Sequence, residues 1–311
     1  DYGGGKSAPM DANAKLLMLC IPGLRSAYGG AEAADIQGGV TLNITNGTFE
    51  RVFGGNNLSG TIRGPIEVNI EETGCRPIII GELYGGGNQA PYSVYGYHDD
   101  GTIIESGTTK AYKDPVVNVK SFTSIGEIYG GGYGSTASMV CDPTVNVNVT
   151  ADHTSEAQTK TYKDSEEQTK FYSDYAGETK TIGDHSVILP PHVKGKMGVI
   201  NNVFGGGNAA PVKGNTQVNI GTTEEVYMLV NQELTIGTTD VSGFYIRIGG
   251  SGTTADPYEY TPATGTAVDG TTYYKRYSVL GADIRGNVYG GGNNAEVTGN
   301  TDVIIGKKKT E

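Results

Sequence analysis

Two stretches decide the fold: Val203-Phe204-Gly205-Gly206-Gly207-Asn208-Ala209-Ala210-Pro211-Val212-Lys213-Gly214-Asn215-Thr216-Gln217-Val218-Asn219-Ile220 and Val288-Tyr289-Gly290-Gly291-Gly292-Asn293-Asn294-Ala295-Glu296-Val297-Thr298-Gly299-Asn300-Thr301-Asp302-Val303-Ile304-Ile305. At equal offsets both carry an aromatic, three glycines, Asn, Ala, Val, a Gly-Asn-Thr turn and a closing aliphatic pair. The closing segment of the first alternates with period two, as does Pro65-Ile66-Glu67-Val68-Asn69-Ile70, and Val, Ile and Thr dominate. Such segments read as half-buried strands.

Working outward, an aromatic followed by glycines recurs at Tyr2, Tyr28, Phe53, Tyr84, Tyr129, Phe204 and Tyr289, with spacings of 26, 25, 31, 45, 75 and 85 residues. The minimal repeat is therefore about 25 residues, and longer gaps hold insertions. A propeller blade needs about 40 residues and four strands, more than the shortest repeats supply. The spacing predicts a right-handed parallel β-helix (β-solenoid) of about seven coils, continuous over 1–311, with hairpin or loop inserts at about 93–113, 150–198 and 222–284. Handedness follows only from the general preference of parallel crossovers.

The closing strands set Val218 and Ile220 inward with Leu42 and Ile44, Val68 and Ile70, Val117 and Val119, Val145 and Val147, and Val303 and Ile305. The residue between each pair is Asn43, Asn69, Asn118, Asn146 and Asn219, interrupted by Leu17 and Ile304 at the two ends. This row is either an amide ladder or a polar track for an extended polysaccharide, since Asn offers donor and acceptor together. A second set, Asn57, Asn88, Asn208 and Asn293, follows the glycines, where a tight turn of positive φ is expected. The side on which the aromatics lie stays open; an exposed row would stack on sugars or on another such body.

The inserts share near copies: Thr109 to Asp114, Thr159 to Asp164, Thr169 to Asp174 and, more loosely, Thr271 to Arg276. Their alternation suggests hairpin arms. The third insert adds Phe244-Tyr245-Ile246-Arg247-Ile248 and Tyr258-Glu259-Tyr260, enough strand for a small β-subdomain. Binding residues tend to sit on such loops, so a partner is expected there. Both chain ends fall inside a repeat, and two readings stay open: a piece of a longer array, or copies stacking end to end through Asp1, Tyr2, Ile305 and Glu311.

Composition narrows the chemistry. A net charge of -11 and scattered cations apart from Lys307-Lys308-Lys309 argue against nucleic acid, anionic membranes and acidic polymers. The longest apolar run, Leu16 to Ile21, is too short to cross a bilayer, and its match to the repeat makes it a core strand rather than a lipid-attachment signal. Cys20, Cys75 and Cys141 have no C-x-x-C spacing, so no zinc site or disulfide framework follows. His98, His153, His185 and His192 lie in inserts without ligand spacing and read as solvated; Asp99-Asp100 and Glu224-Glu225 are paired only in sequence. No catalytic residue, metal or cofactor is expected.

The motif [VIL]-[FY]-G-G-G-N followed by A-x-V-x-G-N-T-x-V-x-I resembles the repeats of large surface or secreted proteins of gut Bacteroidota, with a pectin-lyase-like parallel β-helix. Ala31-Glu32 after Gly30, and Tyr133 in place of Asn, depart from it. The resemblance covers the seven repeats and not the inserts. It implies an exported location and an adhesive or scaffold role, with self or a glycan as partner. A polysaccharide-binding module, and a carbohydrate-active enzyme in a groove beside the inserts, are the alternatives.

Overall fold

The computed structural model describes residues 1–19, 21, 23–72, 76–149, 178–189, 198–223, 225–230, 233–252, 256–279 and 281–306. Cys20, Cys75, His153, His192, Glu224, the lysines 307–309, Glu311 and the near copies at 159–164 and 169–174 lie outside the described residues. Among those described, no helix is long and apolar enough to cross a membrane, and every regular element is a strand. The chain divides into two compact units: Asp1–Thr222 with Leu280–Glu311, here the repeat body, and Thr223–Val279, here the inserted unit.

The repeat body is built of parallel sheets. One has seven strands in the order β1 (Ala14–Met18), β3 (Val40–Ile44), β5 (Ile66–Glu71), β8 (Val116–Ser121), β11 (Thr144–Val147), β16 (Thr216–Ile220) and β23 (Thr301–Ile305). A second runs β2 (Gly23–Tyr28), β4 (Gly47–Phe53), β6 (Ile78–Tyr84), β9 (Ser124–Tyr129) and β14 (Val199–Phe204), which then pairs with both β21 (Asp283–Ile284) and β22 (Val288–Tyr289). A third holds only the two-residue strands β7 (Tyr92–Ser93), β10 (Met139–Val140) and β15 (Val212–Lys213). An antiparallel hairpin, β12 (Glu178–Ile182) and β13 (His185–Leu189), completes this unit.

Equivalent residues pair with equivalent residues. Leu42 pairs with Val68, Val68 with Val117, Val145 with Val117 and with Val218, and Val218 with Val303. The alternation seen in the sequence becomes burial: the inward aliphatics of β3, β5, β8, β11 and β16 are all buried in one continuous core. In β23 the pattern fails, and Val303, Ile304 and Ile305 are exposed, Ile305 by 66%. That strand is the edge of its sheet, with nothing described beyond it to cover those side chains.

The β-helix expectation is corrected by this topology. The chain is all-β, but it forms several separate parallel sheets rather than a right-handed β-helix of seven coils. The reason lies in the segment of each repeat between the glycines and the closing strand. There the sequence offers Ala, Pro and turn residues, and the repeats are joined by two-residue strands and by isolated bridges such as Met10–Ile36, Ile36–Ile62 and Val212–Val297.

The inserted unit is one four-stranded antiparallel sheet, β17 (Glu225–Leu229), β20 (Tyr273–Ser278), β18 (Tyr245–Gly249) and β19 (Glu259–Pro262) in spatial order. A β-bulge between Arg247 and Gly249 shifts the register of the outer pair. Its small core gathers Val241, Ala263, Ala267 and Tyr273, with Phe244 and Ile246 packed against them.

The glycines after each aromatic are explained by approach rather than by φ. A Cβ on Gly85 would lie 2.4 Å from the carbonyl oxygen of Gly130, and one on Gly130 would lie 2.3 Å from that of Gly205. The same collision recurs at Gly3, Gly29, Gly54 and Gly205, because each glycine N–H donates to the aromatic carbonyl of the next repeat at 2.8–3.0 Å. A side chain there would push two repeats apart. The expected positive φ at the following Asn set is absent; among the described residues, the non-glycine ones with positive φ are Ala209 and Asn294, one position later.

Candidate functional site

Three polar or aromatic arrays follow from the register. The first is the Asn row. Asn219 Nδ2 donates to Asn146 Oδ1 at 2.9 Å, Asn146 to Asn118 at 3.0 Å, Asn118 to Asn69 at 3.1 Å and Asn69 to Asn43 at 3.1 Å. All four bonds point the same way along the sheet, and Leu17 and Ile304 occupy the register positions beyond. Each interior amide thus uses one donor and one acceptor internally. Asn88 likewise donates to Asn57, and Asn293 to Asn208, with Tyr133 standing between the two pairs.

The second array is aromatic. Tyr2, Tyr28, Phe53, Tyr84, Tyr129, Phe204 and Tyr289 stack in order, with centroids 4.8–5.0 Å apart and planes within 12°. The rings are a second core, apart from the aliphatic one, and Tyr289 at the end is 44% exposed. Hydroxyls of the stack are paired as well: Tyr129 donates to Glu127 Oε2 at 2.5 Å, and the oxygens of Tyr84 and Tyr2 accept from Asn208 Nδ2 at 3.2 Å and Asn57 Nδ2 at 2.8 Å. Burial, helped by Glu127 for Tyr129 and Glu82 for Tyr84, pushes these two phenols well above their ordinary value. They stay protonated at any physiological pH.

The third is a charged cluster where the β12–β13 hairpin lies on the second sheet. Gly81 leaves room for it, since a Cβ there would meet His185 at 3.1 Å; at Gly126 the constraint is the Gly81 carbonyl oxygen, 2.4 Å from where a Cβ would lie. Arg51 sits at the centre. Its Nε donates to Glu82 Oε2 at 2.9 Å, and its Nη atoms lie 3.4 Å from Glu50 Oε1, 3.3 Å from Asp184 and 3.1 Å from His185 Nε2. His185 Nε2 is also 2.9 Å from Asp184 Oδ1. Burial alone would lower the Arg51 guanidinium, but Glu82 and then Asp184 hold it above its ordinary value. A bond from its own backbone, aided by His185 and Arg51, keeps Asp184 below the usual carboxylate range.

Beside this cluster a shallow cavity of about 470 Å³ opens between Arg25, Thr48 and Glu50 on one side and Ile182–Gly183 of the hairpin turn on the other. Glu50, Asp184 and His185 could offer a metal three ligand atoms within 4.8 Å of one another. The Arg51 guanidinium already neutralises those carboxylates from within 3.4 Å, so the donor set is that of an ion-pair clamp rather than of a metal centre.

The sequence-named residues are thus distributed unevenly. The five asparagines come together; Asp1 donates its amino group to Ser26 O at 3.0 Å and Tyr2 stacks on Tyr28, while Ile305 lies on the edge strand at the other end of the sheets. His185, expected to be solvated, is half-buried in the clamp, and Glu50, Arg51, Glu82 and Asp184 went unnoticed because their spacing in sequence is irregular. The near copy at 109–114 is no hairpin: Lys110 bonds Asp114 at 2.7 Å and also Asp142, pinning a loop. Cys141 is a free thiol, buried and pushed upward by that burial, hence unreactive. No family model matches the chain, and neither a curated protein nor a solved structure matches it.

Proposed function

We propose that this is a non-enzymatic structural or adhesive repeat protein that works outside the cell and associates with further copies of itself. The observation that carries the reading is the stack of seven rings at strand spacing. Together with the amide ladder beside it, the stack commits the polar and aromatic positions of each repeat to holding the next, the economy of a scaffold. The outside location rests on the resemblance of the motif. Negative-stain electron microscopy of the native protein tests association: filaments, or rods longer than one copy, are expected. Release of reducing ends from a polysaccharide by the purified protein would replace this reading with a catalytic one.

The second reading is a glycan-binding module. Its support lies in the tyrosine-rich inserted unit rather than in the Asn row, whose amides bond one another.

A further inference from the structure

The sheet of the inserted unit has two unlike faces. Directly paired residues of antiparallel strands share a face. One face carries Ile246 and its partner Tyr273, which enter the small core. The other carries Tyr227 paired with Arg276, Tyr245 with Tyr274, and Arg247 with Tyr260. The four tyrosines are half-buried and both arginines are exposed. Tyr227 and Tyr260 reach in from the two edge strands and stack at 4.0 Å, while Tyr245 and Tyr274 meet them edge-on at 5.0 and 5.1 Å.

Charge is sorted on the same unit. Its three cations, Arg247, Lys275 and Arg276, are all on strands, whereas Glu233, Asp240, Asp256 and Asp269, four of its seven carboxylates, are in connecting loops. Arg276 lies 3.5 Å from Glu225 and 5.3 Å from the Tyr245 ring. Arg247 stands 4.5 Å over Tyr258, and no described carboxylate pairs with it. The face therefore offers an unpaired planar fork of donors beside phenols that present both hydroxyls and apolar rings. Leu229 and Pro262, both exposed and both on edge strands, are the aliphatic side chains in strand register with the tyrosines, so the centre of the face is made of rings and donors.

We propose that this face binds a short oligosaccharide bearing carboxylates, with Arg247 and Arg276 pairing with uronate groups and the four tyrosines taking sugar hydroxyls and C–H faces. The charge of -11 on the whole chain repels long polyanions, which confines the ligand to a few sugars. The site does not depend on the scaffold role proposed above, and either can fail alone.

Calorimetric titration of the full chain with trigalacturonate, maltotriose and triglutamate tests it at low and high salt. Millimolar or tighter binding of trigalacturonate, weakened at least tenfold in Arg247→Gln and in Arg276→Gln and partly kept in Arg247→Lys, is expected. Raising the salt weakens it, because short-range screening acts on exposed pairs. Lys6→Gln removes the same charge from the repeat body and should change nothing, and unchanged circular dichroism shows that each variant is folded. Absence of heat at millimolar trigalacturonate, or unaltered binding in both folded arginine variants, overturns the proposal. Equal binding of maltotriose removes the role of charge, and equal binding of triglutamate gives the face to an acidic peptide; both outcomes also overturn it.

Discussion

Tyr84 and Tyr129 lie face to face at 4.8 Å with 7° between their planes, whereas Tyr227 and Tyr245 meet edge to face at 5.0 Å and 77°. The first pair belongs to parallel strands in register, the second to an antiparallel sheet. Parallel register carries a residue onto its equivalent by one strand spacing of about 4.8 Å, so rings have no choice but to lie parallel. The antiparallel sheet brings together residues of different rank in the sequence, and there both geometries occur: Tyr227 and Tyr260 stack at 4.0 Å and 7°, while Tyr245 and Tyr274 meet them edge-on. In the repeat body geometry dictates the aromatic contact; in the inserted unit the contact is free to choose.

The sharpest way to break this comparison is Phe53→Ala. It removes one ring from the middle of the buried column, and a loss of about 4 kcal/mol in urea unfolding is expected. Tyr258→Ala in the inserted unit, an exposed ring, should cost less than about 1 kcal/mol in the same measurement. Next in size is Gly85→Ala: it forces Gly130 away and should destabilise the repeat body by about 3 kcal/mol, whereas Gly265→Ala in the inserted unit meets no atom within 4 Å and should cost only the strain of a side chain at a φ of 81°, about 1 kcal/mol.

Titration separates the two units as well. Glu72 in the repeat body is buried, with one oxygen accepting from Ile78 N–H and the Thr123 hydroxyl at 2.8 Å and the other without a described partner. Burial pushes its carboxyl from 4.5 up to about 7. The folded state then holds a proton that the unfolded state releases between those values, so its stabilising contribution is full below pH 4.5 and is lost as pH rises through about 7. At pH 8 the ionised form costs about 3 kcal/mol. Glu72→Gln should therefore raise the melting temperature at pH 8, leave it nearly unchanged at pH 4.5, and flatten the dependence between. The inserted unit buries no carboxylate among its described residues, so its own transition should not move over this range.

The smallest expected effect is in the ladder. Asn118→Ala removes one link on each side and should cost about 1 kcal/mol, read as a shift of the urea midpoint without a change in slope. The ladder is thereby sharpened against the aromatic column, which carries the larger share of each repeat's cohesion.

The repeat strands, the inward faces of β3, β5, β8, β11 and β16 and the pairing of like with like were legible, because parallel register writes its period directly into the positions of Leu42, Val68, Val117, Val145 and Val218; Val303 and Ile305, expected inward, are exposed on the edge strand. The β-helix was inferred from that period and does not stand, since repetition fixes which residues stack without fixing how many continuous sheets result. The side of the aromatics could not be read, because Val52 and Phe53 are both buried, each in a different cluster, and simple alternation allows only one of them a core. The clamp around Arg51 was hidden for another reason. Glu50, Glu82 and Asp184 come from separate repeats and a hairpin 133 residues distant from Arg51, so no local spacing marks them. The inserted unit's tyrosines were visible as a composition, and their sharing of one face became evident only with the antiparallel register.

Successive repeats keep one register although the chain between their aromatics runs from 25 to 85 residues. Loop closure grows only with the logarithm of length, so the longest excursion costs about 1 kcal/mol more than the shortest. A body of this kind is an accepting frame: the joints between its repeats are places where lineages can splice in a foreign module, exchange it or lose it, while the strands on either side find each other as before.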